Sequence, residues 1–128
     1  MWKRLRWFLK RLKWAWQRLY RGWDDRVCWD LQLHMAKVLL PRLRRFRDLR
    51  KDSSFMMAGH PVVREGYTNA DWEADIDLII EAFEYIASND DDIIKMPFDA
   101  YCEAANRREK VKEAGCKKFG ELFQAFWD

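Results

Sequence analysis

Trp2, Leu5, Leu9, Leu12, Trp16, Leu19 and Trp23 recur at alternating three- and four-residue steps. That period fits one regular structure, an amphipathic α-helix. No other segment carries the two-residue alternation of a strand, so the expected fold is all-α. The same stretch, residues 1–23, holds eight Lys/Arg, no Asp or Glu, and five of the chain's eight tryptophans. At about 100° per residue, Trp7 and Trp14 fall opposite the leucine stripe. Lys3, Lys10 and Arg21 lie on one flank of them and Arg11 and Arg18 on the other. A cationic face bearing two tryptophans points to a partner that is anionic, flat or both.

At 128 residues the chain has the length of one domain with a sizeable core. Its net charge of +3 conceals an asymmetry. Residues 1–51 hold sixteen Lys/Arg against four acids, and residues 52–128 hold eight against seventeen. Such a split means either a basic binding half or two halves that neutralise each other on folding. Cys28, Cys102 and Cys116 are odd in number. The last two lie about 21 Å apart along one expected helix, beyond disulfide reach, so free thiols in a reducing cytoplasm are expected. Lys and Arg interrupt the N-terminal stretch too often for a signal peptide, and no apolar run approaches a membrane span.

Periodicity and caps predict a bundle of four main helices, over about 2–21, 25–50, 70–88 and 98–126. Gly22 is a C′ stop and Asp24 an N-cap. The second helix reads as the central one, because Val27, Leu31, Met35, Val38 and Leu49 form one apolar stripe and Trp29, Leu33, Ala36, Leu40 and Leu43 another. Leu39 and Phe46 lie between the two. Pro41 should kink or interrupt this helix. Residues 52–68 form a long aperiodic connection containing Gly59-His60-Pro61, with Phe55, Met56 and Met57 as candidates for packing. In the third helix Trp72, Ile76, Ile79, Ile80, Phe83 and Ile86 should be buried. Its outer face, Glu73, Asp77, Glu81 and Glu84, needs basic neighbours, which the first two helices can supply. The fourth helix places Arg108 within its apolar stripe. A buried Arg requires a carboxylate, and the acidic third helix is the expected donor.

Several short stretches resemble a group of small proteins encoded by tailed bacteriophages and prophages. They are Arg21-Gly22-Trp23-Asp24-Asp25-Arg26, Trp29-Asp30-Leu31, Ala36-Lys37, Pro41-Arg42-Leu43 with Arg45-Phe46, Asp71-Trp72-Glu73, Ile79 to Ile86, Leu122-Phe123 and Trp127-Asp128. Together they cover most of the chain. The resemblance lends no catalytic residue. It implies a phage accessory protein acting in the cytoplasm of an infected bacterium.

The candidate anion-binding set is therefore Lys3, Arg4, Trp7, Lys10, Arg11, Trp14, Arg18 and Arg21, with Arg42, Arg44, Arg45 and Arg47 as a secondary basic track. Cations would neutralise phosphates while the tryptophans stack on bases. The bland alternative is that Trp7 and Trp14 pack within the bundle or against a second subunit, and that the Arg42–Arg47 run is a solvated helix end. His34 and His60 lack metal-ligand spacing, Asp90-Asp91-Asp92 lacks the glycine of a calcium loop and reads as a solvated turn, and there is no Gly-rich phosphate loop. These features predict a non-enzymatic binding protein without metal or cofactor. Its expected partner is nucleic acid or a nucleotide signal of host defence. A protein–protein module, homo-oligomeric or docking on a host or phage protein, is the alternative. Membrane-surface association ranks below both, because the bundle is expected to cover the leucine stripe.

Overall fold

The computed structural model describes residues 1–51 and 65–126. Among the described residues the chain is an all-α helical bundle with four main helices and no strand. The helices are α1 (Trp2–Arg21), α2 (Leu31–Lys51), α3 (Asn69–Ser88) and α4 (Phe98–Leu122). Two compact units divide the chain, Met1–His34 and Met35–Asp128.

In the first unit, α1 ends where Gly22 takes the left-handed conformation, φ 82°, and its N–H donates to the Arg18 carbonyl at 3.0 Å. The chain then reverses. Asp24 caps a 3₁₀ helix, Asp25–Asp30, by accepting from the Arg26 N–H at 3.0 Å. The expected second helix thus begins six residues late as an α-helix. Asp30 receives the Leu33 N–H at 3.2 Å and starts α2. This explains why the second helix looked central in the sequence. A 3₁₀ segment turns 120° per residue rather than 100°, so Val27 and Trp29 are out of phase with the stripes assigned to them.

The central element is α3. Trp72, Ile76, Ile79, Ile80, Phe83 and Ile86 are all buried, as expected from their spacing. Ala36, Leu40 and Leu43 of α2 join them from one side, and Leu122 closes the cluster. α2 runs as one helix through Pro41. The Thr68–Asp71 capping box opens α3, with the Asp71 carboxylate receiving the Thr68 N–H at 2.7 Å. α3 approaches α4 so closely at Gly115 that a Cβ built there would lie 2.2 Å from the Ala82 Cβ. α4 stops at Leu122, four residues short of expectation, and Phe123–Ala125 continue as a 3₁₀ turn. That tightening folds Phe126 back against Phe46, Trp72 and Phe119, with ring centroids 5.2, 5.5 and 5.8 Å away.

Charge is matched within the second unit. Arg44 reaches Glu84 at 2.8 Å and Arg47 reaches Asp77 at 3.2 Å, so α2 relieves the repulsion along α3. Arg108 is largely withdrawn from solvent, as expected, but its partners are not on α3. They are Asp90 at 3.3 Å and Asp92 at 2.5 Å in the α3–α4 connection, and its guanidinium also lies 4.8 Å from the Tyr85 ring centroid. The acidic run is therefore an arginine clamp rather than a solvated turn. Arg108 holds the Asp92 carboxyl down at about 2. The remaining part of the long connection, residues 52–64 with Phe55, Met56, Met57 and His60, lies outside the described residues.

Candidate functional site

α1 has no buried residue. Leu5, Leu9 and Leu12 each keep more than half of their surface in solvent, Trp16 keeps 69 % and Leu19 83 %. Trp2 and Phe8 are likewise exposed. The rest of its own unit leaves this stripe uncovered. Within its own unit, the reversed segment lies along the other side of the helix, where the polar groups are.

The fold-back forms because Asp24 and Asp25 follow eight cations and find the last three of them within reach. Asp24, nearly buried, accepts from Arg18 Nη1 at 2.6 Å and from Arg26 Nε and Nη2 at 3.0 and 2.8 Å. Asp25 accepts from Gln17 Nε2 at 2.9 Å, Lys13 Nζ at 2.9 Å and Arg21 Nη2 at 2.5 Å. Its backbone N–H donates in turn to Gln17 Oε1 at 3.0 Å. Arg26 beside Asp24, and Gln17 beside Asp25, hold both carboxyls well below the ordinary carboxylate range.

Aromatic groups complete this clasp. The Trp14 ring meets Trp29 edge to face, centroids 5.9 Å apart at 86°, and the Arg26 guanidinium lies 4.7 Å from the Trp14 centroid. Arg21 stacks on Trp23 at 3.9 Å. Trp14, Arg18 and Arg21, assigned to an anion site from the sequence, are thus engaged inside the unit.

The other half of α1 is different. Lys3, Arg4, Arg6, Lys10 and Arg11 form no ion pair among the described residues. Trp7 is 58 % exposed and carries the Arg11 guanidinium 5.0 Å from its centroid. Arg4 and Arg11 edge one side of the bare apolar stripe, Arg6 and Lys13 the other, by their positions on the helix. In the secondary track, Arg44 and Arg47 are taken up by α3, while Arg42 donates to the Val38 carbonyl and Arg45 is exposed. The track does not form a continuous free surface.

Elsewhere the described residues offer little chemistry. They contain no group of three or more His, Cys, Asp or Glu able to hold a metal. An apolar hollow of about 580 Å³ lies between Leu39, Leu43, Phe46, Phe119, Phe123 and Phe126. No described helix is long and apolar enough to cross a membrane. The clasp partners Gln17, Asp25 and Arg26 were not foreseen as contacts. The signal was present in the sequence as two adjacent acids after a wholly basic helix. Comparison of the chain with protein-family models, curated proteins and solved structures found no match.

Proposed function

We propose that this is a non-enzymatic membrane-surface binding protein whose α1 lies in the plane of an anionic bilayer. One observation carries the reading. The polar side of α1 is the side its own unit packs against, while that unit leaves the leucine and tryptophan stripe bare. A soluble helix does the reverse. A helix with a strong apolar face, a Lys/Arg-rich remainder and interfacial tryptophans is suited to the boundary between headgroups and acyl chains. Cations on both edges of the stripe place lipid phosphates within reach. A second copy of α1 is a poorer occupant, since every charged side chain in residues 2–21 is a cation and pairing two such faces brings like charges together. The resemblance to tailed-phage proteins supplies a setting, the cytoplasmic face of an infected cell's membrane.

Co-sedimentation with large vesicles tests this. Protein should pellet with vesicles rich in phosphatidylglycerol at physiological salt and stay in solution with phosphatidylcholine alone. Leu9→Glu/Leu12→Glu should abolish pelleting, because two charges would enter the apolar boundary. Equal behaviour with both lipids, or full binding by the double variant, refutes the proposal.

Nucleic acid stays as a second reading because of Trp7, exposed on the cationic side beneath Arg11. Single-stranded oligonucleotide binding that is lost in Trp7→Ala but retained in Leu9→Glu/Leu12→Glu would favour it.

A further inference from the structure

Eight cations in α1 do not make eight equivalent headgroup ligands. We infer that the Asp24–Asp25 turn confines lipid-phosphate recognition to the first three turns of α1, through Lys3, Arg4, Arg6, Lys10 and Arg11, and withholds Lys13, Arg18 and Arg21 from the bilayer. This inference rests on the membrane reading above and assigns its electrostatic half to particular residues.

The geometry divides the helix between Arg11 and Lys13. Every cation from Lys13 onward has an intramolecular carboxylate: Lys13 and Arg21 share Asp25, and Arg18 takes Asp24. No cation before Lys13 has one among the described residues. An isolated exposed ion pair would be weak competition for a charged surface. The Asp25 pair is not isolated. Its carboxylate takes three donors at once, and its backbone N–H is pinned by Gln17, so the acceptor is held in place before any lipid arrives. Two fixed negative charges also lie against the second half of α1 and offset the attraction its cations would otherwise feel. The Leu5–Leu19 stripe runs through both halves unchanged. The amino-terminal half therefore attaches by charge and apolar contact, and the second half by apolar contact alone.

Matched single-charge variants of the full chain, titrated with phosphatidylglycerol vesicles, test this. A free cation near an anionic surface is worth about fivefold in affinity. Lys10→Gln should weaken binding by about that factor, and Lys13→Gln should leave it nearly unchanged, although both remove one positive charge from an exposed side chain of the same helix. Equal losses would overturn the inference. Asp25→Asn should strengthen binding severalfold more than Asp30→Asn does. Both variants remove one negative charge from the reversed segment, but only the first releases cations, because Asp30 holds the Leu33 N–H rather than a Lys or Arg. Equal gains from the two would also overturn it. Failure of the unmodified protein to bind these vesicles is a separate outcome, and it sinks the membrane reading itself.

Discussion

Gly115→Ala and Gly120→Ala make the same chemical change in the same helix and should move stability in opposite directions. Helix propensity alone favours both, since alanine in a helix interior is better than glycine by about 1 kcal/mol. At Gly120 nothing lies within 4 Å of an added Cβ, so a gain should appear with no steric cost, about 0.5 kcal/mol because the site is near the helix end. At Gly115 the new carbon would stand 2.2 Å from the Ala82 Cβ and 2.9 Å from the Leu78 carbonyl oxygen. Neither is the movable end of a flexible side chain, so α3 and α4 must separate by more than 1 Å for an ordinary contact of about 3.5–4.0 Å. Overpacking of this kind costs about 3 kcal/mol when backbone must shift. The net expectation is a loss of about 2 kcal/mol, or roughly 8 °C in Tm for a domain of this size. Thermal unfolding followed by circular dichroism at 222 nm reads both variants. A rise in Tm for Gly115→Ala would refute the close approach of α3 and α4.

Phe126→Ala removes three ring contacts and should cost about 3 kcal/mol in urea unfolding, with the transition moved to lower denaturant. Pro41→Ala restores a backbone donor inside α2 and should raise the urea midpoint, by up to about 3 kcal/mol in stability; a fall would show that the ring packs in a way alanine cannot replace. The clamp predicts an acid limb. Because the folded Asp92 carboxyl sits at about 2 against an ordinary 3.8, its stabilisation is complete above pH 3.8 and is lost as pH falls through 2. Arg108→Gln should flatten the dependence of stability on pH across that window, and an unchanged slope would show that Arg108 is not what lowers Asp92.

Much of the bundle was legible because its signals are local. The α3 burial pattern follows from a 3.6-residue period over residues 72–86, and the Gly22 and Asp24 ends of the first turn follow from backbone and capping chemistry. Amphipathicity alone does not give burial. A stripe such as Leu5–Leu19 states that α1 has an apolar face, and it does not state what covers that face. Phase was the second difficulty, since six residues of 3₁₀ helix after Asp24 displaced Val27 and Trp29 from any α-helical wheel. Arg108 exposed a third. Its need for a carboxylate was readable, but Asp90 and Asp92 come sixteen to eighteen residues earlier, and only the return of α4 along α3 brings them to it. For the candidate site, the helical wheel of α1 showed where its cations and tryptophans lie and not which of them are engaged within the unit. It could not show that Trp14, Arg18 and Arg21 turn inward to Trp29, Asp24 and Asp25.

The Arg108 clamp has a consequence for the order in which the chain assembles. It ties the α3–α4 connection, where Asn89 and Asp90 both hold positive φ, to a point about three turns into α4. A helical hairpin closed over so short a loop pays little chain entropy, and its contacts are close in sequence, which favours rapid formation. The α3–α4 hairpin should therefore form first, with α2 and Phe126 docking onto it afterwards. In stopped-flow refolding, Ala82→Gly should mainly slow folding, while Phe126→Ala should mainly hasten unfolding.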